Sequence, residues 1–260
     1  MILNIVMERA REIYGDNIPE KIMSRIKTEM NCIEKTNSSF LYSVASDLVK
    51  ESHKRGFAVN SRGMIASSLV AYLVGITNIN PMPAHYYCSC CGFYEDVDRN
   101  KISVTGLELE KGICPRCGVE MKSDGMDIPY ETLFGDQDRD VKKPFIALNF
   151  AAEVRGEIFE YIYNRFGKER VAHGGTTLIR DGVRKRVGCH PGAVFIAPEG
   201  TTIEDVTPID YVEDFDGKEK RVTRMDYCNL DEYFTRINVL NEPGFALSLL
   251  HRLEKLRDIE

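Results

Sequence analysis

The sequence lacks any long hydrophobic run. No segment approaches the roughly 18 to 20 consecutive apolar residues that a membrane span requires. The opening stretch MILNIVMERAREIYG carries acidic and basic charges where a signal peptide would need an apolar core. These absences predict a cytoplasmic protein with no membrane partner. Positive charge is also short, with 34 Lys and Arg against 40 Asp and Glu, a formal net charge of −6 and a pI near 5.5. A strong nonspecific grip on nucleic acid depends on Lys and Arg neutralising phosphates, so this balance argues against one and leaves room only for a local basic patch. No internal repeat stands out beyond paired cysteines, and no segment is of low complexity. His190, within His-Pro-Gly, has no visible Ser, Cys and Asp arrangement around it, so it reads as a structural turn residue rather than a catalytic base.

What is present suits a folded core. The 260 residues are 43% hydrophobic and 28% charged, which predicts one globular domain carrying a small insert. Residues 2–14 and 17–35 read as amphipathic helices separated by the turn-prone Gly15-Asp16-Asn17-Ile18-Pro19. Ile22, Ile26, Met30 and Ile33 recur at helical spacing in the second. A third helix begins after the cap candidates Asn37, Ser38 and Ser39 and runs to about Lys54. Met64 to Ile76 is apolar and of helical length, so a fourth helix is expected there. After residue 122 the pattern turns to short strands and loops, with strands at 144–150 and 193–197 and a helix at 153–165. Strand, helix and strand in one core predict an α+β or mixed α/β fold.

Eight cysteines in a reducing compartment point to metal ligands or buried thiols rather than disulfides. Cys88-Ser89-Cys90-Cys91 and Cys114-Pro115-Arg116-Cys117 form two C-x2-C knuckles, each followed by a glycine, Gly92 or Gly118, that lets the chain turn. Cys88, Cys91, Cys114 and Cys117 are the expected ligands of one tetrahedral Zn²⁺. Four thiolates leave no open position for water, so the site would be structural. Buried free thiols are the alternative. Cys90 is left without a role. Residues 85–122 then form a zinc-stapled insert whose folding draws on metal binding, since so short a segment buries little core.

Two basic or polar features remain open between a functional and a plain reading. The loop Val59-Asn60-Ser61-Arg62-Gly63 feeds an expected helix N-terminus, where outward N–H groups and the helix dipole can hold a phosphate; the other reading is a helix cap with a surface arginine. Arg184-Lys185-Arg186 is the compact basic cluster, either a phosphate contact or a solvated face. Asp136, Asp138 and Asp140 alternate in a polar loop and read as solvated acids, with metal binding the less favoured alternative.

A longer set of residues resembles the palm region of PolC-type bacterial DNA polymerase III α subunits. It comprises GFAVNSRGMIASSLVA at 56–71, Gly75-Ile76-Thr77, Asn80-Pro81 and Pro83-Ala84-His85-Tyr86. It continues through the cysteine pairs to Asp124-Gly125-Met126-Asp127-Ile128-Pro129-Tyr130-Glu131-Thr132, then Leu148-Asn149-Phe150, Gly188-Cys189-His190-Pro191-Gly192 and Thr207-Pro208-Ile209. Ile13-Tyr14-Gly15-Asp16 and Ile18-Pro19-Glu20 also fit, so the resemblance covers nearly the whole chain. It implies a polymerase-β-like nucleotidyltransferase palm, with N-terminal helices and first part of the palm at 1–84, a zinc-ribbon insert at 85–122 and the remainder of the palm at 123–260.

In the family one palm strand carries aspartate, any residue, aspartate, then Leu-Asn-Phe. Residues i and i+2 of a strand share a face, so the two carboxylates jointly hold paired Mg²⁺. Here those positions are Phe145 and Ala147, and the family's third aspartate, on a later strand, corresponds to Asn238. Phe and Ala offer no ligand atom and Asn only a neutral carbonyl, so Mg²⁺ is not expected and polymerisation should be lost. Phe145 points to natural divergence rather than an engineered knockout. Between Thr177 and Gly182 only a few residues stand where the family has a long helical segment, and the family's fingers and downstream DNA-binding parts have no counterpart before residue 260. The resemblance thus implies a degenerate, truncated, stand-alone homologue.

The phosphate loop keeps Ser61, Arg62, Gly63, Ser67 and Ser68, so a weak nucleotide site at Ser61, Arg62, Gly63 and Ser67 is expected, with weak nucleic-acid contact at Arg184, Lys185 and Arg186. Three functions follow as expectations: a noncatalytic remnant that binds DNA or deoxynucleotide without turnover, a module that docks on a replication protein, or residual nucleotidyl transfer through other carboxylates such as Asp136 and Asp138.

Overall fold

A computed structural model describes residues 2–97, 105–136, 139–213 and 219–242, and for 178–180 and 184–187 it describes the backbone alone. The chain divides into two compact units, one of Met1–Ser46 with Ser61–Phe145 and the other of Asp47–Asn60 with Ile146–Glu260. It passes from one to the other within a helix, at a short strand, and again before the strand that starts at Ala147. The fold is mixed α/β.

In the first unit α1 (Ile2–Tyr14), α2 (Glu20–Lys35) and the start of α3 (Ser39–Lys54) form where the apolar spacing predicted helices. Ile22, Ile26, Met30 and Ile33 are all buried on α2, as are Val6, Ala10 and Tyr14 on α1. Each of the Ile, Met and Val side chains among them contributes on the order of 1.5–3 kcal/mol by leaving water. The helix expected over Met64–Ile76 is broken. After β1 (Asn60–Arg62) a 3₁₀ turn covers Gly63–Ser67, Ser68 is extended at φ −96° and ψ 117°, and α4 is only Leu69–Leu73. The cause is a buried carboxylate described below.

The cysteine-bearing segment adds a small sheet in the order β3-β2-β4, with β2 (His85–Tyr87) between β3 (Tyr94–Asp96) and β4 (Lys122–Asp124). Both pairings are antiparallel. A single turn of helix, α5 (Glu131–Phe134), completes the unit.

The second unit is built on one sheet. β5 (Ala147–Ala151) leads directly into α6 (Ala152–Phe166), and then come β6 (Val171–Arg180), β7 (Val183–Ile196), β8 (Ile209–Glu213), β9 (Glu219–Asp226) and β10 (Thr235–Glu242). Their spatial order is β5-β10-β7-β6-β9-β8. β10 runs parallel to β5 and antiparallel to β7. Val154, Ile158 and Ile162 are buried along α6 at helical spacing. A separate apolar cluster gathers Ala172, Ala193, Phe195, Ala197, Ile203, Leu230 and Phe234.

The expectation of only short strands after residue 122 is corrected by β6 and β7, which have 10 and 14 residues. They form a long ribbon closed by Asp181-Gly182, with φ of 54° and 74° and Arg180 paired to Val183. Two residues at positive φ make the turn whose twist matches a hairpin, and Asp-Gly suits it. Among the described residues no helix is long and apolar enough to cross a membrane.

Candidate functional site

The four cysteines of the two knuckles come together. The Sγ atoms of Cys88, Cys91, Cys114 and Cys117 all lie within 4.8 Å of one another. Cys88 and Cys117 are 3.5 Å apart, as are Cys91 and Cys114. A Zn–S bond of about 2.3 Å implies a tetrahedral S···S edge of about 3.8 Å, so the cage has the dimensions of a tetrathiolate metal site. The two knuckles repeat one backbone plan. Gly92 N–H donates to Cys88 O at 2.9 Å and Cys88 N–H to Phe93 O at 2.8 Å, while Gly118 N–H donates to Cys114 O at 2.9 Å and Cys114 N–H to Val119 O at 2.8 Å. Gly92 and Gly118 take φ of 68° and 72°, which side chains disfavour.

Electrostatics point the same way. The Cys91 backbone N–H lowers the Cys88 thiol pKa, joined against burial by that of Cys90. Burial pushes Cys114 up, but the N–H groups of Cys117 and Arg116 outweigh it and bring the thiol down to about 7. Cys117 gains from the Val119 N–H, yet burial and the facing thiols drive it to about 12. Four thiolates packed this closely repel one another, and a divalent cation removes the conflict. The residues therefore fit a structural metal ion. Cys90 is exposed and outside the cluster.

The three positions matched to the family's aspartates are also traceable. Ala147 on β5 is the register partner of Asn238 on β10, and Phe145 lies two residues before Ala147. Phe145 is 41% exposed, whereas Ala147 and Asn238 are buried. Asn149 shares the alternation of Ala147, one step further along β5. Among the described residues, Asn238 Nδ2 and Asn149 Oδ1 are buried without a hydrogen-bond partner. These positions hold no carboxylate. Of the alternating acids, Asp136 pairs with Arg139 at 3.5 Å, and Asp138 lies outside the described residues.

The loop residues are distributed unevenly. Ser61 and Arg62 belong to β1, with Arg62 exposed, and Gly63 opens the 3₁₀ turn with φ 78°. Ser67 is buried, and its hydroxyl donates to Met64 O at 2.8 Å. At the start of α4 an internal anion already stands. Glu29 from α2 is fully buried and accepts from Ser68 Oγ at 2.7 Å, Leu69 N at 3.0 Å and Val70 N at 3.0 Å, with Arg25 Nε at 2.5 Å on its other side. Arg25 also donates to the carbonyls of Ser67 and Ile128. Ser68 Oγ in turn accepts from Ala71 N at 3.0 Å. This arrangement explains why the chain breaks at Ser68 rather than continuing helically.

Sequence reasoning missed Glu29. Its signal was present, since residue 29 falls on the same apolar stripe as Ile26 and Ile33, where a charge must be paired. Also unremarked was the half-buried network around Asp124, whose Oδ2 accepts from Tyr72 Oη at 3.1 Å and Asn80 Nδ2 at 2.9 Å, the latter also donating to Tyr14 Oη at 2.9 Å. His190 Nδ1 accepts from the N–H groups of Gly192 at 3.1 Å and Ala193 at 2.9 Å, which gives it a turn-forming role. Arg184, Lys185 and Arg186 sit in the β7 arm of the ribbon; their side chains lie outside the described residues.

Comparison with known proteins gives the lineage. Residues 1–181 match the family described as bacterial DNA polymerase III alpha NTPase domain. The chain is 33% identical over 283 aligned positions to DNA polymerase III PolC-type of Thermotoga maritima, covering 96% of this chain and 20% of that protein. It is 32% identical over 265 positions to DNA polymerase III PolC-type of Bacillus subtilis, covering 90% of this chain and 18% of the relative. The chain thus spans about a fifth of the length of these curated relatives. A match over most of the chain, running from the N-terminal helices through both cysteine knuckles, places this protein in the bacterial DNA polymerase III alpha family, with PolC-type polymerases as its relatives.

Proposed function

We propose that the chain is a zinc-stabilised homologue of the PolC palm, with a polymerase-β-like nucleotidyltransferase fold, that binds nucleic acid without polymerising it. The observation that carries this reading is the pairing of Ala147 with Asn238 in adjacent parallel strands, with Phe145 just upstream. In-line phosphoryl transfer relies on metal ions held by carboxylates for nearly all its charge stabilisation. Phenylalanine and alanine supply no ligand atom at these positions, and Asn238 supplies one neutral oxygen. No chemistry of this kind is expected to survive, and Mg²⁺ has no seat.

Binding is supported by the ribbon of β6 and β7. Where the resemblance places a long helical segment in the family, this chain has two strands joined by Asp181-Gly182, and the sequence loads them with Arg180, Arg184, Lys185 and Arg186. A two-stranded basic ribbon can track a phosphate backbone even when the net charge of the whole protein is negative. The four cysteines hold Zn²⁺ that folds the 85–122 insert, and the protein acts in the cytoplasm.

The test is fluorescence anisotropy of a labelled primer-template duplex titrated at several salt concentrations, with and without deoxynucleotide, beside a primer-extension assay in Mg²⁺. Salt-sensitive binding without extension is expected. Extension above background would establish residual transferase activity and overturn the noncatalytic reading. Absence of binding at low salt would remove nucleic acid and leave a replication protein as the partner.

A further inference from the structure

The ribbon of β6 and β7 outruns its sheet. β6 pairs with β9 at His173 and Gly175, and β7 pairs with β10 from Ala193 to Ile196. The Asp226 carboxylate accepts from the Thr177 amide at 3.1 Å. Beyond that point, among the described residues, the two strands pair with each other alone as far as the turn at Asp181-Gly182. A hairpin of two strands is marginal in water, so a partner laid against it adds order as well as contact. Charge names the class of partner. Arg180, Arg184, Lys185 and Arg186 fall in this short span against one acid, Asp181, while the chain as a whole carries a net charge of −6. Cations gathered so closely repel one another unless a polyanion neutralises them.

The register divides these cations between two faces. Residues directly opposite one another in an antiparallel pair share a face, and successive pairs alternate. Arg180 is opposite Val183 and Ile179 is opposite Arg184, so these two pairs fall on opposite faces. Arg186 is opposite Leu178, two residues from Arg180. Arg180 and Arg186 therefore belong to one face and Arg184 to the other, with Lys185 the extra residue of the bulge between them. A single phosphate chain lies along one face of a ribbon, whereas cations on both faces match two chains, one on each side. Dimensions then choose among duplex grooves. A β-layer with side chains on both faces is about 10 Å thick, the spacing of packed sheets. The major groove of B-DNA is about 12 Å wide and admits a two-stranded ribbon, the minor groove is only about 6 Å wide, and the major groove of A-form RNA is deep and narrow. Leu178 to Arg180 span about 10 Å of strand, enough to reach a floor about 8.5 Å deep. Val183, beside the turn, is 58% exposed. The major-groove floor carries thymine methyl groups that an apolar side chain can cover, and the minor groove has none.

We propose that this ribbon enters the major groove of duplex DNA, flanked by the phosphates of both strands. The inference rests on the nucleic-acid reading above and specifies the form and the groove. The test is anisotropy of the unaltered chain with a labelled DNA duplex, its single strand, the matching RNA duplex, and a duplex whose cytosines carry glucosylated hydroxymethyl groups, which fill the major groove without adding charge. Netropsin, which fills the minor groove of A·T runs, is the competitor in a further arm. Binding to the plain duplex is expected to be about tenfold tighter than to each of the other three and insensitive to netropsin. Arg180→Gln and Arg184→Gln, one from each face, should each weaken duplex binding and shallow its log–log salt dependence by about 1. Equal binding of plain and glucosylated duplexes, or displacement by netropsin, would overturn the groove assignment while the nucleic-acid reading stands. Equal affinity for the single strand would overturn the two-walled contact in the same way, and absence of binding to every ligand would remove both. The glucosylated duplex decides the matter with the unaltered protein even if a variant fails to fold.

Discussion

Replacing Glu29 by alanine should cost far more than an ordinary substitution. The carboxylate is fully buried and receives four donors, the Arg25 Nε, the Ser68 hydroxyl and the Leu69 and Val70 amides. Its loss leaves the Arg25 guanidinium, whose side chain is only 13% exposed, without a counter-charge, and strips two backbone N–H groups at the start of α4. Removing one partner of a buried ion pair typically costs about 3–5 kcal/mol, and orphaned buried donors add to this at about 1–3 kcal/mol each where the chain cannot relax. A loss near 4 kcal/mol is therefore expected, equivalent to a drop of roughly 8–16 °C in Tm for a chain of this size. Urea unfolding followed by far-ultraviolet circular dichroism would measure it, with an unchanged slope confirming that the native compactness is retained. Glu29→Gln should lose most of the same stability, because its amide N–H₂ would confront other donors. A loss below about 1 kcal/mol for Glu29→Ala, the scale of a surface pair, would refute the claim that this carboxylate fixes the break at Ser68.

Zinc content, measured by mass spectrometry of the metal, should be one ion per chain, should fall in Cys91→Ser and should be unaffected in Cys90→Ser; because structural zinc binding is folding energy, chelation should also open residues 85–122 to protease. Equal protease resistance with and without chelator would contradict this. Acidification should destabilise the protein through His85. Burial lowers its pKa, so below an unfolded value of about 6.5 the unfolded chain takes up a proton that the folded chain refuses, and the stability present above that pH is lost as pH falls. His85→Phe should flatten the stability profile below about pH 6.5, and an unchanged profile would acquit His85. Replacing Arg184, Lys185 and Arg186 together by alanine should weaken duplex binding and shallow its log–log salt dependence by roughly 2 to 3. An unaltered slope would move the contact elsewhere.

Much of this molecule is legible in its sequence, for identifiable reasons. α1, α2 and α3 repeat apolar residues at a helical period, and both knuckles combine paired thiols with a glycine that must turn, so local chemistry alone dictates them. The region at 64–76 was misread because its apolar content has helical length, whereas its conformation is set by Glu29, some forty residues earlier in the chain. No periodicity within the segment carries that information. The ribbon was understated because only the end of β7, Ala193–Ile196, is an apolar run, while the rest of the two strands is rich in polar, glycine and basic residues; Asp181-Gly182 is the local signal of the turn. The sheet register makes Ala147 and Asn238 neighbours, which no local pattern in either strand carries.

The position of β10 between β5 and β7 has a consequence for how the second unit is assembled. Its two partners precede it in the chain, one of them by about ninety residues, and one of the two pairings is parallel. Until β10 is in place both β5 and β7 present open edges toward the same gap, and such edges invite pairing with another molecule. Non-local, parallel pairing of this kind is slow to form because loop closure precedes any reward. A nascent or proteolysed chain ending before Thr235 would therefore carry a slot shaped for a single strand, and foreign strands would compete for it.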